Sequence, residues 1–283
     1  MTTSSFPQPT DRRDRLLFVL CAISTLVVVA LLLLLTVSTV LKAVPALPSL
    51  TQALTETNWA PLSGQFGMLA MIVGSLTVSL LALSLAAPLA LILAAWLALY
   101  SPPLLRAPLR TLYELMAGIP SVVYGLWGLI LLVPLVNQLA PPGASLLSAA
   151  IVVALMILPY GVLLIDSRLQ SVPLTARQAA LAAGLPRFAM FRAVYWPMTR
   201  DGAVKAMVLQ FGRAIGETMA VLMVAGNVVA LPDSVLAPVR TLTANIALEM
   251  GYADDGHRAM LYLSGVLLLL VAMLTMALVR RNP

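Results

Sequence analysis

Arg213 and Glu217 stand four residues apart inside an apolar stretch running from about Ala206 to Ala230. On a helix that spacing puts both side chains on one face. Counted from a helix beginning near Lys205, Arg213 lies about 12 Å along the axis at ~1.5 Å per residue. A charge at that depth in a membrane costs at least about 2.5–3.5 kcal/mol and faces a cavity or a bundle interior. One reading is a structural ion pair, neutralising itself between helices. Arg before Glu is the weaker order for such a pair. Gly212 and Gly216 also leave room for a second helix or a ligand. The guanidinium offers a planar fork of donors suited to an oxyanion. A neighbouring carboxylate lowers the positive field, so that an anion is held weakly enough to leave again. Thr218 belongs to the same candidate pathway.

A second cluster is Gly118, Pro120, Ser121, Tyr124, Gly125 and Gly128. Proline removes a helix hydrogen bond, and the glycines permit close approach. Two readings stand: a packing kink, or a gate in which Ser121 and Tyr124 line a path. Other chemistry is missing. The only lysines are Lys42 and Lys205, and no Gly-rich phosphate loop ends in Lys-Ser or Lys-Thr. There is no Ser-His-Asp set and no pair of catalytic carboxylates. One histidine, His257, and one cysteine, Cys21, make a poor metal site. The expectation is a chain without catalytic residues, metal or cofactor of its own.

The elements that carry these residues follow from composition. Of 283 residues, 61% are hydrophobic and 10% charged, and mean hydropathy is +0.99. Soluble domains carry about 25% charged residues, so this is an all-α integral membrane protein. A spanning helix needs about 20 apolar residues. The runs that qualify are Leu16–Leu41, Met68–Tyr100, about Leu115–Leu139, about Ser145–Ile165, about Ala206–Ala230 and Met260–Val279. The first follows Arg12, Arg13 and Arg15 but is far longer than the roughly 7–15 residues of a signal core, so it reads as a retained helix. Basic residues set the orientation. With the N-terminus in the cytoplasm, that side gains Arg106, Arg110, Arg168, Arg177, Arg187, Arg192, Arg200, Lys205, Arg280 and Arg281. The opposite side holds Lys42, Arg240 and Arg258. This divides the chain into a cytoplasmic tail (1–15), a membrane domain (16–279) with a cytoplasmic loop (166–205), and a cytoplasmic end (280–283). The net charge of +6 is a topology signal, and nothing supports nucleic-acid binding.

Two loops are informative. Trp59 and Pro61 in the polar stretch Thr55–Gly64 suggest an external hairpin with an interfacial aromatic anchor, or a docking point. In the 166–205 loop, Thr175 is placed to cap a helix that Gly184 stops, and a second segment, Arg187–Val194, ends before Pro197. The pair reads as an interfacial amphipathic loop or as a rigid knob for a cytoplasmic partner.

Gln178-Ala179-Ala180, three residues, Gly184, nine residues, then Val194-Tyr195-Trp196-Pro197 resembles the EAA loop of ABC importer permeases. That pattern reads Glu-Ala-Ala, three residues, Gly, nine residues, Ile-x-Leu-Pro. Gln178, Val194 and Trp196 depart from it, and Gln178 lacks the charge through which the family's Glu could form a salt bridge. Gly118 to Gly128, Gly212 to Val221 and Gly226-Asn227 are similar to phosphate importer permeases, and the Gly-Glu-Thr-Met-Ala-Val wording to their PstC type. Asn58-Trp59 followed by Phe66-Gly67 fits the same type, and the likeness covers roughly Asn58–Tyr262.

The resemblance implies a type I ABC importer permease fold with six transmembrane helices in the bacterial inner membrane. It implies inorganic phosphate as cargo, with Arg213, Glu217, Thr218, Ser121 and Tyr124 along its path. It implies a homologous PstA-type permease subunit as heterodimer partner and a periplasmic PstS-type phosphate-binding protein. Two PstB-type ATPase subunits would bind ATP and Mg, and would receive Gln178, Ala179, Ala180, Gly184, Leu185 and Pro186. Alternatives are a permease for molybdate or sulfate, and a channel or secondary transporter that works without an ATPase. An intramembrane enzyme would need a polar catalytic cluster at one membrane face, and none is present in the sequence.

Overall fold

The structure, a computed structural model, describes residues 12–281; the parts of the expected tails at 1–11 and 282–283 lie outside the described residues. It is helical almost throughout. α1 (Arg12–Ala43) is followed by a 3-10 turn (Val44–Ser49) and α2 (Leu50–Thr55). A two-stranded hairpin, β1 (Trp59–Ala60) and β2 (Gln65–Phe66), pairs Trp59 with Phe66 and Ala60 with Gln65. α3 (Leu69–Leu99), α4 (Pro103–Gly118), α5 (Ser121–Trp127), α6 (Val133–Leu139) and α7 (Leu146–Gln170) come next. Then follow α8 (Leu174–Ala182), α9 (Arg187–Met190), α10 (Trp196–Ile215), α11 (Met219–Val224), α12 (Leu242–Glu249) and α13 (Asp255–Arg281).

Among the described residues, 5 helical stretches are long and apolar enough to cross a membrane: Asp14–Thr55, Leu69–Leu99, Ser121–Leu139, Leu146–Gln170 and Asp255–Arg280. The apolar run at Ala206–Ala230 takes a different form. It is two helices, α10 and α11, broken at Gly216-Glu217-Thr218. α10 also starts at Trp196, well before Lys205, so Arg213 lies about 26 Å along its helix at ~1.5 Å per residue and in its last turn.

The core is built on small residues. Ala82, Ala86, Ala90 and Ala94 recur every fourth position on α3 and are buried, which makes one stripe along the helix. Small side chains let helix backbones come close in a membrane, where apolar burial alone gives no drive to associate. α7 packs along this stripe with Ala149, Val153 and Ile157. Ser75 and Ser79 on α3 return their hydroxyls to the Met71 and Ser75 carbonyls at 2.8 and 2.7 Å, so neither is left unpaired. α1 is peripheral: it leans on α13, and its apolar side chains from Leu16 to Leu35 are exposed, as suits contact with lipid.

Two π-helical stretches, Gly128–Leu132 and Phe191–Tyr195, share one design. The next residue, Val133 or Trp196, bonds back to the carbonyl five positions earlier, and Pro134 or Pro197 follows. A proline ring clashes with the carbonyl four residues back in an α-helix, and the wider π turn moves that carbonyl away. The expected end of the second loop helix before Pro197 is therefore corrected: helix runs through the proline from Arg187 to Ile215. α7 and α10 likewise extend into both ends of the 166–205 segment.

Candidate functional site

The break between α10 and α11 sets the geometry around Arg213. Glu217 turns its carboxylate forward, and Oε1 accepts the Ala220 N–H at 3.2 Å. This supplies a partner for one of the unpaired N–H groups at the start of α11, where a negative charge is also favoured. Thr243 Oγ1 donates to the Glu217 carbonyl at 2.8 Å and ties the break to α12. The expectation of a shared helix face for Arg213 and Glu217 is corrected accordingly: Glu217 has left the helix, and the two form no ion pair among the described residues. The Arg213 guanidinium instead lies over the Tyr160 ring of α7, 5.6 Å from its centroid. Arg213 is exposed, while Glu217 and Thr218 are half-buried.

A second break, at Ile119-Pro120, separates α4 from α5. Ile119 is extended (φ −64°, ψ 130°), as a residue before proline tends to be. The Tyr124 hydroxyl spans this break and donates to the Met116 carbonyl at 2.9 Å, which also accepts the Ile119 N–H at 3.3 Å. Its O–H is thus committed to the backbone. Gly125 is the contact point with α11: a Cβ there would sit 2.9 Å from Ala220 Cα and 3.4 Å from the Met219 carbonyl. A Cβ on Gly128 would sit 2.5 Å from Val152 Cγ2. Both glycines serve packing. The α5–α11 junction so formed sets Gly125, the neighbour of Tyr124, against Met219 and Ala220. Ser121 opens α5 one turn earlier, half-buried.

The loop carrying Gln178 is a defined turn. Gly184 has φ +67°, a conformation that glycine adopts without the Cβ penalty. Its N–H bonds to the Leu181 carbonyl at 3.0 Å, and that of Leu185 to the Ala180 carbonyl at 3.1 Å. This double closure is the Schellman motif. α8 begins at Leu174 after Pro173, so Thr175 is not its cap. Gln178, Ala179, Gly184 and Pro186 are exposed, Leu185 is half-buried and Ala180 is buried. Arg177 anchors the turn through Nη2 to the Leu169 and Gln170 carbonyls at 3.1 and 2.5 Å.

Two polar clusters were not foreseen from the sequence. On the side of the hairpin, Glu249 accepts from Trp59 Nε1 at 2.7 Å and from Arg240 Nη1 at 2.7 Å, and contacts His257 Nε2 at 2.9 Å. Trp59 is buried, which corrects its reading as an interfacial anchor: it is a strut between the hairpin and α12. At the opposite end, Arg110 pairs with buried Asp166 at 2.7 Å beside Arg106 and Arg177. In sequence those arginines signalled only topology.

Residues 86–282 match the family described as "Binding-protein-dependent transport system inner membrane component". The "Phosphate transport system permease protein PstC" of Xylella fastidiosa strain Temecula1 is 33% identical over 246 residues, covering 80% of this chain and 76% of that one. The protein of the same name from Mesorhizobium japonicum is 34% identical over 249 residues, with 80% and 76% covered. Among solved structures, a bacterial ABC transporter involved in the import of the acidic polysaccharide alginate superimposes with a TM-score of 0.63. It is 13% identical and covers 95% of this chain and 96% of that one, a likeness of fold.

Proposed function

The chain belongs to the binding-protein-dependent transport system inner membrane components, and from that membership we propose that it is one permease subunit of an ATP-driven importer of inorganic phosphate. It is an integral membrane permease with the ABC importer fold. The observation that carries the cargo is Arg213. Its guanidinium is exposed, pairs with no carboxylate among the described residues, and ends a broken helix in a chain whose relatives are named phosphate permeases. A planar fork in that position holds a tetrahedral oxyanion through charge-assisted hydrogen bonds. Glu217 keeps a negative charge close by and limits how tightly the anion is held. Ser121, Tyr124 and Thr218 line the approach.

This chain supplies half of the path. The exposed apolar face of Leu115, Val122, Val123, Leu126 and Trp127 suits a homologous PstA-type subunit on the other side. The rigid turn from Gln178 to Pro186 suits a groove on a PstB-type ATPase, the subunit that brings ATP and Mg. Orientation by basic residues leaves both termini cytoplasmic and the Trp59 hairpin facing a PstS-type periplasmic binding protein.

The test is reconstitution of the chain with its partner permease, ATPase and binding protein in proteoliposomes. ATP-dependent uptake of radiolabelled phosphate that excess sulfate and molybdate leave unchanged is the expected result. ATP-driven uptake of another anion would discard the cargo, and uptake without the ATPase would discard the mechanism.

A further inference from the structure

We propose that a groove between the end of α3 and the Phe188–Phe191 segment holds an acyl chain of an anionic phospholipid, whose headgroup lies against Arg187. The groove measures about 350 Å³, within the range of small-molecule sites. Ile92, Ala95, Trp96 and Tyr100 form one side of it, and Phe188 and Phe191 the other. Ile92, Trp96, Tyr100 and Phe188 are exposed.

The level of the groove limits what can fill it. α3 has 31 residues and is about 46 Å long at ~1.5 Å per residue, against about 30 Å of hydrocarbon. Its last turns reach the headgroup layer, where Trp and Tyr gather in membrane proteins. Trp96 and Tyr100 are exposed aromatic residues at that end of α3. Ile92 lies about 12 Å deeper than Tyr100 at the same rise. A soluble subunit seated on the Gln178–Pro186 turn does not reach that depth. The occupant is therefore apolar at one end and meets the polar boundary at the other.

The polar end of the groove offers donors alone. The Arg187 guanidinium lies 5.6 Å from the centroid of the Tyr100 ring, and an aromatic face steadies such a group without neutralising it. Arg187 is exposed and forms no ion pair among the described residues. Neither the Tyr100 hydroxyl nor Trp96 Nε1 has a hydrogen-bond partner among the described residues. No carboxylate is in the wall. An unbalanced positive charge at the rim of an apolar groove fits a ligand with an anionic head and an apolar tail. The phosphate of phosphatidylcholine is already balanced by its own choline, and the groove has no carboxylate to receive that choline. On the orientation proposed above, the groove opens to the cytoplasmic leaflet, whose negative surface attracts basic residues. Phe188 and Phe191 follow the turn at Gly184, so a bound lipid braces that turn against α3.

The test is photolabelling of the complete complex in phosphatidylcholine nanodiscs, without ATP or phosphate, so that its outcome is independent of the cargo. One sample carries a trace of phosphatidylglycerol with a diazirine in its acyl chain, and a parallel sample carries the matching phosphatidylcholine probe. Labelled peptides are mapped by mass spectrometry. The phosphatidylglycerol probe is expected to label the Leu91–Tyr100 and Phe188–Phe191 segments at least about fivefold more than the phosphatidylcholine probe, the worth of one arginine beside an anionic lipid. Arg187→Gln should bring that ratio close to one, and Arg187→Lys should restore most of it. Arg187 is exposed, so these variants read the site even where a change in the groove itself disturbs assembly. Ala95→Phe keeps the charge but fills the groove, and should remove labelling by both probes. Equal labelling by the two probes in wild type, a ratio that Arg187→Gln leaves unchanged, or absence of label from both segments because a partner subunit covers them, would each overturn the proposal.

Discussion

The Arg213 guanidinium lies 5.6 Å from the centroid of the Tyr160 ring, and this contact takes the place of the ion pair that the spacing to Glu217 suggests. An aromatic face steadies a guanidinium without neutralising it, worth about 0.5–1 kcal/mol at an exposed site. The fork is thereby positioned and still able to meet an anion. Tyr160→Phe, which keeps the ring, should leave phosphate uptake near wild type. Tyr160→Leu should lower it roughly two- to fivefold, the kinetic equivalent of that energy, at equal subunit abundance in the membrane.

Glu217 has a structural duty besides its charge, since it caps α11 through Ala220. Glu217→Ala removes the acceptor and should cost about 0.5–2 kcal/mol, as losing a cap does. Glu217→Gln retains an oxygen for the N–H and should melt close to wild type. Thermal unfolding of the purified complex checks both. A Gln variant that keeps its melting temperature but changes in uptake would isolate the effect of the charge.

Gly125 and Gly118 make a matched pair. An added Cβ at Gly125 meets the α11 backbone, whereas at Gly118 it meets nothing within 4 Å. Gly125→Ala should therefore destabilise by about 1–3 kcal/mol, as overpacking does, and lower assembled complex. Gly118→Ala should leave abundance unchanged. Comparing yields of folded complex decides the matter.

The Glu249 network joins the hairpin to the other end of the chain. Glu249→Ala would leave Arg240 mostly buried without its carboxylate, at a cost of about 3–5 kcal/mol. His257→Asn removes the Glu249 contact and the packing of the buried ring against Trp59, Phe66 and Tyr252, and should cost less, about 2 kcal/mol. The ranking is measurable by thermal unfolding, and equal effects would show that the network does not hold the hairpin down.

The helical membrane architecture was legible because apolar runs of spanning length admit few other folds, and the Gly184 stop was legible because a local turn needs its glycine. The break in the fifth apolar run was not, because Val, Leu, Met and Ala continue on both sides of Gly216-Glu217-Thr218 and hide the helix end. The i,i+4 spacing of Arg213 and Glu217 then pointed to a face that the chain does not form. Trp59 was misread for another reason. Its partner Glu249 lies 190 positions away, and no local pattern announces such a bond. The arginines around Asp166 were visible only as charge, since their convergence depends on α4, α7 and α8 meeting.

The most direct test of the account is the initial rate of ATP-dependent uptake of radiolabelled phosphate by proteoliposomes holding the complete complex, wild type against Arg213→Ala at matched abundance. The account predicts wild-type uptake that requires ATP and ignores excess sulfate, and a fall of at least about tenfold in the variant, as expected for losing charge-assisted contacts to the anion. Full uptake by Arg213→Ala would contradict it.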